Sequence, residues 1–285
     1  MQIRFIISDL DGTLLNAHGK ISDRVRYSLA RAMDKGIGVT LATGRHWSSV
    51  REIVHELEIR NGVIVDNGAM IIDPTDEHPL YHDFVSVDTA QKAINIWREE
   101  GVDYFVFTHA SDGERIYYDR EPKHKAAQQM ERGDLVQRVD DCGEDHLAEC
   151  PKLLAVGSIS DMKRIGERMN RELQGKARVV VYGATPPRTD YGAIEIFAEN
   201  CNKATAARVL MDMLGIPSQA VLALGDDIND MELIQFAGVG VAMGNAIPIV
   251  KAEADHVTLS YADDGLAVAL ERLIFGMNRD RKSTR

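Results

Sequence analysis

Cysteine is scarce in this chain. Cys142, Cys150 and Cys201 form neither a CxxC pair nor an even set, which excludes a disulfide frame and reads as reduced thiols. The nine histidines make no HExxH or HxH cluster, so a zinc site has no support. No apolar run approaches the ~18 residues of a membrane span. The opening MQIRFIISDLDG reaches acidic residues at once, unlike a secretory signal. The expectation is a soluble, cytoplasmic protein with no membrane partner. Basic residues are outnumbered, 33 Lys and Arg against 44 Asp and Glu, giving a net charge of −11. Nucleic acid is disfavoured as a partner, because neutralising phosphates takes a basic face. By the same reasoning the chain looks like a poor host for any phosphate-bearing ligand. Repeats and low-complexity tracts are also missing. With 45% hydrophobic and 27% charged residues, disordered and fibrous classes are excluded too.

The 285 residues are about twice the ~150 typical of one domain, so two domains or one large one are expected. Residues 3–7 form a short apolar, β-branched run, as in a strand buried on both faces. Ser22 is a suitable N-cap for a helix carrying Val25, Leu29, Ala32 and Met33 on one stripe and stopped by Gly36. A second strand at 38–42, a helix through Val50, Ile53, Val54 and Leu57, and a third strand at 63–65 complete a βαβαβ pattern. That alternation predicts a doubly wound parallel sheet.

From about Tyr81 the pattern changes. Strands at 104–108, 115–118, 152–159 and 178–182 surround helical stretches at 89–100 and 161–173, predicting an α+β insert with an antiparallel sheet. The polar stretch 185–190, with Pro186-Pro187, reads as the return linker. The βα alternation then resumes with a helix at 203–214, a strand at 220–224, a strand at 239–243 and a last helix from Asp264. The basic tail NRDRKSTR reads as a frayed end.

Ligands of open parallel sheets bind beyond the carboxyl ends of the strands. Those ends carry Asp9 and Asp11, then Thr43, Gly44 and Arg45, then Asp66, Asn67 and Gly68, and finally Asp226, Asp227, Asn229 and Asp230, with Lys203 opening the preceding helix. Crowded carboxylates raise one another's pKa unless a cation joins them, and hard oxygen ligands suit Mg²⁺. An Asp can serve as a covalent nucleophile, and a second Asp two residues on can protonate a leaving oxygen. A threonine hydroxyl and a lysine can hold phosphoryl oxygens. Together these are the parts of a phosphoryl-transfer site. The global charge therefore misleads about phosphate, because the charge that matters is local: acidic side chains would recruit a metal, which with Lys203 presents positive charge.

DLDGT at 9–13, LATGR at 41–45, Lys203 and GDDIND at 225–230 resemble, in order and spacing, the four motifs of the haloacid dehalogenase (HAD) superfamily. NGA at 67–69, IEIFAENCNKA, GVGVAMGNA at 238–246 and ADDGLAVAL at 262–270 resemble its Cof-type hydrolases. The resemblance implies a Rossmann-like parallel-sheet HAD core at 1–83 and 189–285, interrupted by an α/β cap domain at 84–188 that covers the site. Asp11 and Thr43 are too close in sequence for a cap between them, whereas the long interval from Thr43 to Lys203 has room for one.

The resemblance further implies that Asp9 is the nucleophile and a metal ligand, and that Asp11 is the acid/base with its backbone carbonyl on the metal. Thr43 and Lys203 would hold the phosphoryl group, with Gly44, Arg45 and Asn229 also binding substrate. Asp226 would ligate Mg²⁺, and Asp230 would do so directly or through water. The implied activity is hydrolysis of a small phosphorylated metabolite by a monomer or weak homodimer. A phosphosugar mutase and a low-turnover phosphate-responsive binding module are the rival readings. Two departures stand out: Asn202-Lys203-Ala204 where the family commonly has Ser-Lys-Gly, and Asp227 where Asn is usual, which is expected to add charge beside the metal.

Other patterns have plainer readings. A calcium loop starting at Asp9 would need Gly and Glu where Leu14 and Lys20 stand. Gly238, Gly240 and Gly244 have the wrong spacing for a dinucleotide fingerprint and flank a strand instead of following it. Trp47 reads as helix packing, and Tyr104, Phe105, Phe107, Tyr117 and Tyr118 as core of the insert. His109, Asp112 and Arg115 are polar candidates for substrate contact there.

Overall fold

A computed structural model describes residues 2–110, 113–183 and 191–277. Asp112, the return stretch 185–190 and the basic tail from 278 lie outside the described residues. The chain divides into two compact units, one made of residues up to Tyr81 and from Asn202 onward, the other of His82–Cys201.

The first unit opens with β1 (Phe5–Ser8), in which every residue is buried. Helix α1 (Asp23–Asp34) starts where the Ser22 hydroxyl accepts from the Val25 N–H, and it buries Val25, Leu29 and Ala32. Then come β2 (Gly38–Leu41), α2 (Trp47–Glu56) with Trp47 buried, β3 (Val63–Val65), β4 (Met70–Ile72) and β5 (Pro79–His82).

The second unit holds α3 (Val87–Glu100), β6 (Asp103–Ala110), β7 (Gly113–Tyr118), α4 (Lys125–Met130), β8 (Val136–Arg138) and α5 (Glu144–Leu147). It continues with β9 (Lys152–Gly157), α6 (Ile159–Glu172), β10 (Ala177–Tyr182) and β11 (Gly192–Ala198). Its six-stranded sheet runs β10-β11-β9-β6-β7-β8, antiparallel except for the β7–β8 pair. One core gathers Trp97, Tyr104, Leu153, Ile165 and Ile194, and a second gathers Phe105, Phe107 and Tyr118, so these aromatics serve packing.

The chain then returns to the first unit through α7 (Lys203–Leu214), β12 (Val221–Gly225), α8 (Met231–Phe236), β13 (Val239–Ala242), α9 (Pro248–Glu253), β14 (His256–Val257) and α10 (Gly265–Leu273). The sheet order is β14-β13-β12-β1-β2, all parallel, with β12 at its centre and β1 between β12 and β2. Strands β3, β4 and β5 make a separate small sheet, joined to β2 by a parallel bridge between Ala42 and Ile64. This is the expected parallel core with an α/β insert.

One boundary differs from the sequence reading. The stretch 192–198, assigned to the core because it follows the polar stretch read as the return linker, is a strand of the insert. Glu195 pairs with Leu154 on one side and Val180 on the other, so the return falls after Cys201 and not at 189. All three cysteines are buried free thiols. Among the described residues no helix is long and apolar enough to cross a membrane.

Candidate active site

Because β1, β2 and β12 run parallel, their carboxyl ends open on one edge, and the chain bends there into loops. Asp9 leaves β1 with its N–H still donating to the Leu224 carbonyl of β12, 2.9 Å away. Asp226 leaves β12, Thr43 leaves β2, and Asn202 caps α7 by accepting from the Thr205 N–H, which sets Lys203 in the first turn. Thr43 is buried, its N–H donating to the Ile64 carbonyl and its hydroxyl accepting from the Arg45 N–H.

Lys203 is the centre of the cluster. It is 0% exposed, and its Nζ donates to Asp9 Oδ1 and to Asp230 Oδ1, each at 2.6 Å. Burial works against its charge, but Asp230 and Asp9 hold the ammonium, and its pKa lies above the ordinary lysine value. Asp230 Oδ2 accepts from the backbone N–H groups of Asp226 and Asp227, at 2.9 and 3.1 Å. One buried carboxylate thus ties the lysine to the loop that carries Asp226.

Asp9, Asp226 and Asp230 each present an oxygen, and these oxygens all lie within 4.8 Å of one another. Burial, then repulsion from Asp230 and Asp226, pushes the Asp9 carboxyl well above the usual carboxylate range despite Lys203. Burial and the charge of Asp230 likewise push Asp226 up to about 7. One ammonium is too little charge for three clustered carboxylates. The donor set, all hard oxygens, fits a divalent cation such as Mg²⁺.

Two residues without a role in the sequence reading orient Asp226. The Thr13 hydroxyl donates to its Oδ1 at 3.0 Å, and Asn245 Nδ2 donates to its Oδ2 at 3.2 Å and to the Gly12 carbonyl at 2.9 Å. Gly12 has φ +83°, and a Cβ there would lie 2.3 Å from the Asp226 carboxylate. The DGT and GNA segments contained these residues, but nothing local in them signalled a contact with Asp226.

The remaining expected residues fall into place differently. Arg45 forks onto the Asp11 carboxylate, with Nε to Oδ2 at 2.7 Å and Nη2 to Oδ1 at 2.5 Å, so its guanidinium is turned to Asp11. Asp11 is more than half exposed, in contrast to buried Asp9. Gly44 lies against the Asn67 amide, and Asn229 Nδ2 donates to Asn67 Oδ1 at 2.8 Å. Asp227, expected to add charge beside a metal, does add to the upward push on Asp226, and it also caps the turn 228–230, its carboxylate accepting from the Ile228 N–H at 2.8 Å. His46 Nδ1 lies 2.7 Å from an oxygen of buried Asp66, a pairing absent from the sequence reading.

With this geometry established, similarity to known proteins can be stated. Residues 6–270 match the family described as haloacid dehalogenase-like hydrolase. The 5-amino-6-(5-phospho-D-ribitylamino)uracil phosphatase YcsE of Bacillus subtilis (strain 168) is 29% identical over 277 residues, 96% of this chain and 97% of its own. The HMP-PP phosphatase of Enterobacter sp. (strain 638) is 28% identical over 272 residues, 89% of each chain. Among solved structures, a haloacid dehalogenase-like hydrolase from Bacteroides thetaiotaomicron superposes with a TM-score of 0.80 at 28% identity, spanning 96% of this chain and 100% of that one.

Proposed function

This chain belongs to the haloacid dehalogenase-like hydrolase family, and from that premise we propose that it is a Mg²⁺-dependent, cytoplasmic phosphatase of small phosphate monoesters, working through an aspartyl-phosphate. The observation that carries the reading is the buried Lys203, which joins Asp9 to Asp230 beside Asp226 at the carboxyl edge of the parallel sheet. Relatives named as phosphatases of a ribitylaminouracil phosphate and of HMP-PP support a small phosphorylated metabolite as substrate.

Asp9, Asp226 and the backbone carbonyl of Asp11 would hold Mg²⁺, whose charge would offset that of the carboxylates and the phosphoryl oxygens. Asp230 enters this set with one oxygen on Lys203 and the other on two backbone N–H groups, so its part is chiefly to hold the loop. The Asp9 carboxylate attacks phosphorus, the ester P–O bond breaks, and the Asp11 carboxyl gives its proton to the leaving oxygen. Asp11 then takes a proton from water as that water attacks the phosphorus of the aspartyl-phosphate, releasing phosphate and restoring Asp9. Lys203 and the Thr43 hydroxyl steady the phosphoryl oxygens in both steps, with Gly44 and Asn229 beside them. The inserted unit is assigned to substrate choice, and the working form to a monomer or weak homodimer.

The test is phosphate release from a panel of sugar phosphates, nucleotides and heterocyclic phosphate monoesters, in Mg²⁺ and in excess chelator. Metal-dependent release from at least one ester is expected. Interconversion of sugar phosphates without release would favour a mutase, and no turnover of any ester would overturn the reading.

A further inference from the structure

The turn after β3 joins three loops that the mechanism leaves separate. Asn67 is buried and adopts φ 55°, ψ 25°, a left-handed conformation that asparagine tolerates better than most side chains. Its backbone N–H donates to the Thr43 carbonyl at 2.9 Å. Its Oδ1 accepts from Asn229 Nδ2 at 2.8 Å. The Gly44 backbone approaches so closely that a Cβ there would lie 3.1 Å from both ends of the Asn67 amide. The next residue, Gly68, has φ +101°, and a Cβ there would stand 2.2 Å from the Asn202 carbonyl and 3.0 Å from the Lys203 nitrogen. The turn therefore touches the loop of Thr43, the loop of Asn229 and the start of the helix that carries Lys203.

An asparagine side chain projecting from a loop can swing about two torsions. A hydrogen bond to a buried, backbone-locked acceptor removes that freedom before a ligand arrives. We propose that Asn67 is a positioning residue: it fixes the Asn229 amide relative to Thr43 and Gly44, so that the phosphate-binding side of the site is set in advance. This inference rests on the phosphatase reading. The left-handed backbone supplies the aim, because it turns the Asn67 side chain back across the Thr43–Gly44 loop and toward Asn229.

Asn67→Gly is the informative variant, since glycine keeps the left-handed backbone and deletes the amide. In Mg²⁺, KM and the dissociation constant for inorganic phosphate are expected to rise on the order of three- to tenfold, the range of one neutral hydrogen bond, while kcat changes less than about twofold, as for uniform binding. Asn229→Ala should raise the same two constants, and the double variant should be no worse than Asn229→Ala alone, because the two residues act as a unit. Wild-type KM and phosphate affinity in Asn67→Gly, whatever its melting temperature, would overturn the inference, as would losses that multiply in the double variant. If wild-type protein binds phosphate but turns over no ester, the phosphatase reading falls while the dissociation constants still decide the role of Asn67. If it does neither, both fall.

Should Asn67→Gly fail to fold, the side-chain amide of Asn229 can be followed directly. Its resonances are identified by their loss in Asn229→Ala. One proton of that pair, shifted and protected from exchange in the wild-type protein, supports the bond to Asn67. Two freely exchanging protons would contradict it.

Discussion

Replacing Lys203 by methionine removes a side-chain donor to Asp9 and one of the three hydrogen-bond donors to the Asp230 carboxylate. In the native protein a fully buried ammonium sits 2.6 Å from both Asp9 and Asp230. Methionine fills similar space, so the packing loss is small. The main effect is electrostatic: Asp9, Asp230 and Asp226 are left facing one another without a cation. Removing one partner of a buried pair costs about 3–5 kcal/mol. At 2–4 °C per kcal/mol for a unit of this size, the melting temperature should fall on the order of 10 °C.

The loss should also depend on pH. The native Asp9 carboxyl already titrates above its unfolded value, and deleting the lysine raises it further. A group whose folded pKa is raised binds its proton more tightly in the native state, so the variant loses stability as pH rises through that folded pKa. The wild-type protein, with Lys203 in place, should show the trend less strongly. Thermal and urea unfolding in chelator at pH 5 and pH 8 reads the difference, which should be larger at pH 8. A destabilisation under about 1 kcal/mol, or one equal at the two pH values, would refute the argument that Lys203 is what keeps these carboxylates together.

Asp11→Asn should slow hydrolysis of alkyl phosphates more than of aryl phosphates with good leaving groups, because only the former need the proton. Equal losses in kcat for both classes would count against the acid role. Gly68→Ala should destabilise the first unit by several kcal/mol, since its Cβ meets the Asn202 carbonyl at 2.2 Å at φ +101°. Gly36→Ala, at φ +77° with open space around it, should cost only about 1 kcal/mol. Comparable melting temperatures for the two would show that the turn at Gly68 can relax.

The parts of the fold that depend on local pattern were readable. The all-buried run of β1, the Ser22 cap of α1 and the short strand β3 each follow from a few adjacent residues. The strand β11 was placed in the wrong unit for a physical reason. Its apolar residues suit either sheet, and pairing with β9 and β10 is decided by register between segments far apart in sequence. The site shows the same division. Acidic and hydroxyl residues after strands point to phosphoryl chemistry, because parallel strands bring their carboxyl ends together. Which donor meets which acceptor does not follow. The fork from Arg45 to Asp11, the turn-capping role of Asp227 and the bond from Asn229 to Asn67 all join separate strand ends or depend on a backbone angle.

The most direct test of the central claim is phosphate release by Asp9→Asn beside the wild-type protein, in Mg²⁺, on an ester the wild type hydrolyses. Asparagine keeps the shape of Asp9 but cannot form the acyl phosphate. Loss of activity by about four orders of magnitude or more is expected, with the fold retained. Hydrolysis at the wild-type rate would show that Asp9 is not the nucleophile.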